Sequence, residues 1–315
     1  MGLSAGYGPP QSREHGIRLL NEALDLGYDH FDTANIYGHG ANEELLGEAV
    51  MHRREEFLLA SKTGIVFRDG KRGIDCSPAA IDASIDASLK RLGTDHIDLF
   101  YMHRLDPKVP IADSVGAMAR AIEAGKIGAY GVSEWSAAHI REAHEVHPMA
   151  AVQNEFSLWT RNPELGVLQA TSELDIALIA FSPVGRGALC GVLADPSTLA
   201  SKGDLRVTMP RFDARNWPEN LALIESLSKL ARGVGLTPAQ LAIGWVLAQS
   251  EHVHAIPGTT SLDHLRENFA TLDASIADAV LERAGELINQ QTVSGHRYPE
   301  SLLESIDTED YAPAL

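Results

Sequence analysis

The feature that most constrains the fold of this 315-residue chain is a regular alternation of short apolar segments with longer amphipathic ones. Seven segments have the composition of strands, and each precedes a segment whose apolar residues recur at helical spacing. The strand candidates are residues 28–32, 57–61, 97–102, 128–132, 150–153, 176–181 and 254–256. This order predicts a parallel sheet covered by helices. No change of composition marks a linker, so we expect one domain spanning residues 1–315.

Capping signals support several helix boundaries. Ser12 and Gly27 enclose the first predicted helix, and Ser77 followed by Pro78 begins another in the favoured order. Asn42 is predicted to cap the helix that follows the first strand. Residues 191–218 show no helical or strand period, and we expect an irregular segment there.

A chain of this length and pattern can form a closed (β/α)8 barrel or an open doubly wound sheet. The open dinucleotide-binding fold is disfavoured because no Gly-x-Gly-x-x-Gly follows the first strand. Polar residues at the ends of several strands favour the TIM barrel. A barrel needs eight strands, and only seven are readable. We therefore expect the first strand to be missing, with residues 1–4 forming the loop after it, as if the chain began late.

Composition narrows the partners and the compartment. The net charge of −17 argues against nucleic acid, because neutralising phosphates requires a basic face. No apolar run is long enough for a membrane span, and the N-terminus lacks the features of a signal peptide. Cys76 and Cys190 have neither a disulfide nor a metal spacing, so we expect a cytoplasmic enzyme without a metal. The oligomeric state stays open.

Four polar residues of complementary chemistry follow three consecutive strand candidates. Asp32 and Tyr37 lie at and after the end of the first, Lys62 ends the second, and His103 ends the third. A lysine held by a carboxylate can lower the cost of ionising a phenol. Each residue alone is more often structural, but their joint placement indicates a catalytic site.

Several motifs then occur in a characteristic order. They are Asp-Thr-Ala-Asn-Ile-Tyr-Gly (32–38), Asn-Glu-Glu-Leu-Leu-Gly (42–47), Met-His-Arg (102–104), Gly-Val-Ser-Glu (131–134), Val-Gln-Asn-Glu-Phe-Ser-Leu-Trp (152–159), Phe-Ser-Pro-Val-Gly-Arg-Gly (181–187) and Ile-Pro-Gly-Thr (256–259). With these motifs the chain resembles the aldo-keto reductase superfamily, in particular its bacterial and plant branch with the Gly-Val-Ser-Glu signature. The resemblance implies a (β/α)8 barrel that binds NADPH across the mouth and reduces a small carbonyl substrate.

The resemblance also implies a role for each of the four residues. Tyr37 would donate the proton, and Lys62 would favour the ionised phenol. Asp32 would anchor Lys62, and His103 would hydrogen-bond the carbonyl oxygen and orient the substrate.

The same resemblance implies a set of cofactor contacts. Ser133 and Gln153 would hold the nicotinamide carboxamide, and Phe181 would stack on the ring. Glu134 stands where asparagine is commoner, and it can accept a hydrogen bond from the amide but cannot donate one. The remaining contacts would be to the pyrophosphate (Ser182, Val184, Arg186, Gly187), to the 2′-phosphate (Gly258, Thr259, Thr260, His264) and to the adenine (Glu267, Asn268). No lysine or arginine lies between Gly258 and Leu265, so we expect NADPH with NADH possible.

Other interpretations remain open. The chain could be a reductase of a defined substrate such as pyridoxal or a sugar-like aldehyde, which residues 191–218 and 290–315 would select. It could instead be a cofactor-binding regulatory barrel, or an inactive one that lacks a strand. Arg104, next to His103, is interpreted as a partner of Asp106.

Overall fold

The strands of the computed structural model, which describes residues 1–68 and 70–311, agree with the predicted alternation. In chain order they are β1 (His30–Asp32), β2 (Leu58–Thr63), β3 (Ile65–Arg68), β4 (Lys71–Ile74), β5 (Ile97–Met102), β6 (Ile127–Ser133), β7 (Ala151–Glu155), β8 (Ala177–Phe181) and β9 (Val253–Ile256). All seven predicted strands are present. The additional pair, β3 and β4, forms an antiparallel hairpin that the sequence analysis missed.

The seven predicted strands form one parallel sheet in the order β1-β2-β5-β6-β7-β8-β9. Each strand pairs with the next strand of the series, which is the strand order of a (β/α)8 barrel. Among the described residues, β1 and β9 are the two edges of this sheet. The predicted fold class, a seven-stranded parallel barrel, is therefore confirmed.

The helices lie between these strands. They are α1 (Arg13–Leu26), α2 (Ala41–Val50), α3 (Pro78–Leu92), α4 (Ile111–Glu123), α5 (Ala137–Val146), α6 (Val167–Glu173), α7 (Trp217–Gly233), α8 (Pro238–Leu247), α9 (Leu262–Phe269), α10 (Asp278–Leu287) and α11 (Glu300–Leu303). The helix predicted from Ser12 to Leu26 and closed by Gly27 is confirmed as α1, in which Ser12 is the N-cap, accepting from the His15 N–H, and Gly27 is the C-cap at φ 104°. Residues 191–218 contain three short 3-10 helices.

The predicted cap at Asn42 is wrong. Gly40, in a left-handed conformation, is the residue that precedes α2. The Asn42 side chain is buried instead, where it accepts from the Thr33 hydroxyl at 2.8 Å and donates to Ser4 at 2.9 Å. A buried amide needs hydrogen-bond partners, and here they come from the ends of β1 and the N-terminal segment.

Side-chain contacts connect the first and last units of the sheet. Tyr28 donates to the carbonyl of Leu265 at 2.9 Å, and its ring lies 5.0 Å from the Phe269 ring. His15 of α1 is 2.7 Å from the carbonyl oxygen of Thr260, which precedes α9. Helices α1 and α9 are thus neighbours, although β1 and β9 share no strand pairing.

Glycine is required at one point of the sheet. A Cβ atom at Gly131 in β6 would lie 2.5 Å from the Ala151 carbonyl oxygen and 2.6 Å from the Tyr101 ring. Such distances are shorter than van der Waals contact, so any side chain would separate β6 from β7. This close approach brings Ser133 into register with Gln153 at the end of the same two strands.

No described helix is both long enough and apolar enough to cross a membrane.

Candidate active site

Four polar side chains meet at the carboxyl ends of the first three strands of the sheet. Asp32 is the last residue of β1, Lys62 lies one residue before the end of β2, and His103 directly follows β5. Tyr37 begins a 3-10 turn in the connection from β1 to α2. Parallel neighbours end on the same side of a sheet, so the fold brings these four predicted residues to one mouth.

Lys62 and Asp32 form a buried ion pair. The Lys62 side chain is fully buried and that of Asp32 is 11% exposed. The ammonium contacts the Asp32 carboxylate and also donates to the carbonyl of Thr33 at 2.7 Å. Burial lowers the pKa of Lys62, but the charges of Asp32 and Tyr37 outweigh it and the pKa is raised. The lysine therefore stays charged at neutral pH.

Tyr37 lies beside this pair. The Lys62 Nζ atom is 5.1 Å from the centre of the Tyr37 ring, although the ammonium contacts Asp32 and donates to the Thr33 carbonyl. Burial raises the pKa of Tyr37 and Lys62 lowers it, with a net increase. The expected influence of Lys62 is present, but burial exceeds it. The phenol consequently holds its proton at neutral pH.

His103 faces the same phenol. The two ring centres are 5.9 Å apart with the rings nearly perpendicular, and the buried His103 Nδ1 atom has no hydrogen-bond partner among the described residues. Burial, together with the charges of Arg104, Lys62 and Arg72, holds the pKa of His103 well below its usual 6.5. The imidazole is therefore neutral at neutral pH, with one N–H to donate.

The predicted carboxamide contacts lie next to the four residues. Gln153 donates from Nε2 to the free oxygen of the Asp32 carboxylate at 2.8 Å, and Ser133 lies opposite it in the register of β6 and β7. Phe181 ends β8, where it is in register with Ile256 of β9. These residues line the mouth from β6 round to β9.

The loop after β8 has an unusual backbone. Ser182, Gly185, Arg186 and Gly187 all have positive φ angles, between 54° and 88°, and Val184 packs into the core. Consecutive residues of this kind form backbone concavities that suit an anion such as a pyrophosphate. The predicted residues of this loop are therefore together in a shape that fits the predicted role.

The Arg186 side chain is already engaged within the protein. It donates to Glu155 at 2.8 Å and to the Tyr298 hydroxyl at 2.7 Å, with 8% of the side chain exposed. The sequence analysis assigned no role to Glu155, although it ends β7 within the motif at 152–159, or to Tyr298, which lies in the C-terminal segment far from any strand end. Contact between the Arg186 side chain and a pyrophosphate stays a prediction.

The segment before α9 carries the predicted 2′-phosphate contacts. The Thr259 hydroxyl accepts from the Ser261 N–H at 3.0 Å, and Ser261 in turn caps α9 by accepting from the His264 N–H. Thr260, Gly258 and His264 are at least partly accessible around the positive N-terminal end of α9. Glu267 and Asn268 follow in the same helix.

Arg266, the base nearest to this segment in sequence, is paired elsewhere. Its guanidinium contacts Glu22 at 2.6 Å and Asp263 at 3.4 Å. Hydroxyls, backbone amides and His264 are thus the groups that remain near a 2′-phosphate.

Glu134 does not have a free carboxylate. Its Oε1 accepts from the Glu155 N–H at 2.8 Å, and its Oε2 accepts from Thr308 at 3.0 Å and lies 2.9 Å from Arg297. Contact between Glu134 and the nicotinamide stays a prediction, and in this structure both carboxylate oxygens already have partners within the protein. Glu134 fixes the C-terminal segment over the end of β6.

Arg104 does not pair with Asp106, so that interpretation is wrong. The Asp106 carboxylate accepts from the backbone N–H groups of Cys76 and Lys108, at 3.0 Å each. Arg104 points towards His103 and Ser133. Adjacency to His103 in the sequence was the only signal for its position.

Comparisons with known protein sequences agree with this geometry. A sequence model of the aldo/keto reductase family matches residues 1–289. A Schizosaccharomyces pombe relative named aldo-keto reductase yakc, with NADP(+) in its name, is 40% identical over 306 residues, covering 95% of this chain and 89% of the relative. A probable aldo-keto reductase of Glycine max is 39% identical over 302 residues, covering 95% and 86%.

Comparisons with solved structures give the same result. A glycerol dehydrogenase of Gluconobacter oxydans superposes with a TM-score of 0.81 at 28% identity, covering 96% of this chain and 89% of that one. An aldo-keto reductase of Bacillus halodurans, in its holo form, superposes with a TM-score of 0.77 at 26% identity, covering 94% and 93%.

Proposed function

The chain belongs to the aldo/keto reductase family of oxidoreductases, and from that premise we propose that it reduces an aldehyde or ketone with NADPH and a proton from Tyr37. The observation that carries the proposal is a protonated phenol beside a buried, charged lysine at the mouth of the barrel. Lys62 is held there by Asp32, and a neutral His103 faces the phenol from the next strand.

Tyr37 is the proton donor in this proposal. Its raised pKa keeps the phenol protonated at neutral pH, so a proton is available for the carbonyl oxygen. When the proton leaves, the Lys62 ammonium stabilises the phenolate, and Asp32 keeps that ammonium in place. A positioned general acid contributes about 10²- to 10⁴-fold to a rate.

His103 orients the substrate. A neutral imidazole can donate one hydrogen bond, and the carbonyl oxygen of the substrate is the acceptor we assign to it. With Tyr37 on the other side of that oxygen, the two donors fix the carbonyl with its carbon towards the cofactor.

NADPH supplies the hydride when it is bound. Ser133 and Gln153 would hold its carboxamide, Phe181 would stack on its ring, and the backbone of residues 182–187 would bind its pyrophosphate. The left-handed loop fits this group, because its backbone can approach an anion closely.

Thr259, Thr260 and His264 would bind the 2′-phosphate, while Glu267 and Asn268 would contact the adenine. NADP(+) in the name of the Schizosaccharomyces pombe relative supports NADPH. Arg266 is engaged by Glu22, so we expect a modest preference for NADPH over NADH.

The test replaces the phenol alone. Tyr37→Phe is expected to lower the turnover of aromatic aldehydes by at least about 100-fold, followed by NADPH absorbance. Its affinity for NADPH, measured by fluorescence titration, is expected to stay within about twofold, because no cofactor contact is assigned to the hydroxyl. Turnover close to wild type would contradict the role of Tyr37.

The same measurements separate the regulatory alternative. Wild-type protein that binds NADPH but oxidises none of it across a panel of aldehydes would support a sensor. Measurable turnover that depends on Tyr37 would exclude it.

A further inference from the structure

Arg104 is a buried cation without a carboxylate partner. The residue is 8% exposed, and its Nη1 atom donates to the His103 carbonyl at 2.5 Å and lies 3.4 Å from the Ser133 hydroxyl. Its Nε atom has no partner, and Nη2 makes no hydrogen bond to any residue in 1–68 or 70–311. No acidic side chain within those residues forms a salt bridge with it. Part of the guanidinium is therefore unused.

A second arginine adds to the positive charge beside His103. Arg72 lies in β4 of the hairpin, is exposed, and donates to the Ser305 hydroxyl at 3.2 Å. Arg72 and Arg104 are close enough for the charge of one to affect the other, and both act on His103. Both guanidinium groups therefore add positive charge at His103.

Three carboxylates at or next to the carboxyl ends of β1, β6 and β7 are engaged by other cations. Asp32 holds Lys62, Glu134 holds Arg297, and Glu155 holds Arg186. Arg211 is partly buried, and it donates to the Thr160 hydroxyl and to the carbonyl of Gly295. The excess positive charge at Arg104 is local, in a chain whose net charge is −17.

A buried cation without a partner is costly, and a ligand anion can remove that cost. The planar guanidinium fork matches the oxygens of a carboxylate or a phosphate. The phosphates of NADPH are assigned to the segments 182–187 and 258–264, which follow β8 and β9. Arg104 follows β5, so an anion bound there would belong to the substrate.

We propose that the substrate is an anionic carbonyl compound, whose carboxylate or phosphate group binds Arg104 while Arg72 attracts it at the entrance. This inference rests on the proposed reductase function. It assigns the substrate class that the family alone does not give, and it makes Arg104 a determinant of specificity.

The experiment uses a matched pair of probes, 4-carboxybenzaldehyde and its neutral methyl ester. The wild type is expected to prefer the carboxylate by about 10- to 100-fold in kcat/KM, the range of a charge-assisted hydrogen bond. A second pair of probes, glyceraldehyde 3-phosphate and glyceraldehyde, measures the same preference in kcat/KM for a phosphate group instead of a carboxylate. The larger of the two preferences identifies the anion.

Variants connect the preference to Arg104. Arg104→Gln is expected to lower the ratio of kcat/KM between the anionic and the neutral probe by at least about tenfold. Arg104→Lys is expected to keep part of this preference, because lysine retains the charge but lacks the planar guanidinium fork. Arg72→Gln is expected to lower the ratio by only about two- to fivefold because this group is exposed. Lys71→Gln, an exposed neighbour in the same hairpin, is the matched control and is expected to leave the ratio unchanged.

Two results would overturn the inference. One is a wild-type ratio near one for both pairs of probes. The other is an Arg104→Gln variant that loses both substrates equally and binds NADPH more weakly, which would assign Arg104 to the carboxamide.

Calorimetry separates this inference from the proposed function. If the wild type turned over neither probe, the reductase proposal would fail. Tighter binding of 4-carboxybenzaldehyde than of its ester, abolished in Arg104→Gln, would still support the anion site, and equal binding would reject it.

Discussion

Lys62 and Arg104 are two buried cations at one mouth with opposite surroundings. The ammonium of Lys62 contacts a carboxylate and a backbone carbonyl, and its side chain is fully buried. Within residues 1–68 and 70–311, the guanidinium of Arg104 makes hydrogen bonds only to a carbonyl and a hydroxyl. The first cation is compensated within the protein, and the second is not.

This difference separates stability from ligand binding. A buried cation with its carboxylate belongs to the folded structure, and removing either partner leaves the other uncompensated. A buried cation without a carboxylate partner lowers the free energy of unfolding, so we infer that its role is to bind a ligand. We therefore expect substitutions at Lys62 and Arg104 to differ in their effects on stability.

The largest effect is expected from Lys62→Met. Asp32 would remain buried without its partner, at a cost of about 3–5 kcal/mol in the free energy of unfolding. Reduction is expected to fall at least about 100-fold, because the phenolate would lose its stabilising charge. Urea denaturation and NADPH consumption measure the two losses.

A double variant identifies the source of the instability. Lys62→Met combined with Asp32→Asn removes the unpaired carboxylate, so we expect stability to recover partly while activity stays lost. Near-wild-type turnover in either variant would argue against a lysine-assisted phenol.

A smaller effect is expected from Glu134→Gln, which gives Arg297 the kind of environment that Arg104 has. The Glu134 side chain is 0% exposed and that of Arg297 is 2% exposed, so the variant would leave the Arg297 guanidinium buried without its carboxylate partner. We expect a loss of about 2 kcal/mol in the free energy of unfolding. Glu300→Gln, exposed in α11 of the same segment, is the control. Equal stability of the two variants would show that the pair contributes little.

A still smaller effect on stability is expected from Arg104→Met. Its two hydrogen bonds are lost, but so is an uncompensated buried charge. The free energy of unfolding is therefore expected to stay within about 1 kcal/mol of the wild type or to rise. Destabilisation as large as that of Lys62→Met would remove the contrast between the two cations.

The smallest effect concerns the pH dependence of the rate. Burial and then the charge of Arg104 lower the pKa of His103, so the wild-type rate is expected to be flat between about pH 6 and 8. In Arg104→Gln the pKa of His103 rises, and the acid limb of the profile moves to higher pH. Profiles of kcat/KM against pH for the methyl ester measure the position of the acid limb. Identical profiles of the wild type and Arg104→Gln would show that Arg104 does not act on His103.

The same pKa decrease predicts the direction of a stability change. The folded pKa of His103 lies below the unfolded one, so the unfolded chain binds this proton more readily. The contribution of His103 to stability is therefore lost as the pH falls below about 6.5.

Much of the fold and the four-residue site could be predicted from the sequence. The period of the apolar residues identifies the strands, and a parallel sheet places their carboxyl ends together. Asp32, Lys62 and His103 therefore meet wherever the strands are correctly located. Tyr37 can be predicted to lie at the same mouth because it is only five residues after Asp32.

The remainder depends on contacts distant in sequence. Glu134 was interpreted from its motif, but its partners Arg297 and Thr308 lie in the C-terminal segment, which no period connects to β6. The hairpin β3–β4 was missed because both strands are short and partly exposed. At Asn42 a local capping signal was outweighed by the hydrogen bond from Thr33.

The most direct test of the proposed reaction identifies the source of the hydrogen that is added to the carbonyl carbon. NADPH deuterated at the reacting carbon is used with 4-carboxybenzaldehyde, and the alcohol is analysed by mass spectrometry. We predict one deuterium on the alcohol carbon from the labelled cofactor, and none on that carbon from unlabelled cofactor in D₂O. Carbon-bound deuterium from the solvent, or none from the cofactor, would contradict hydride transfer from NADPH to the carbonyl carbon.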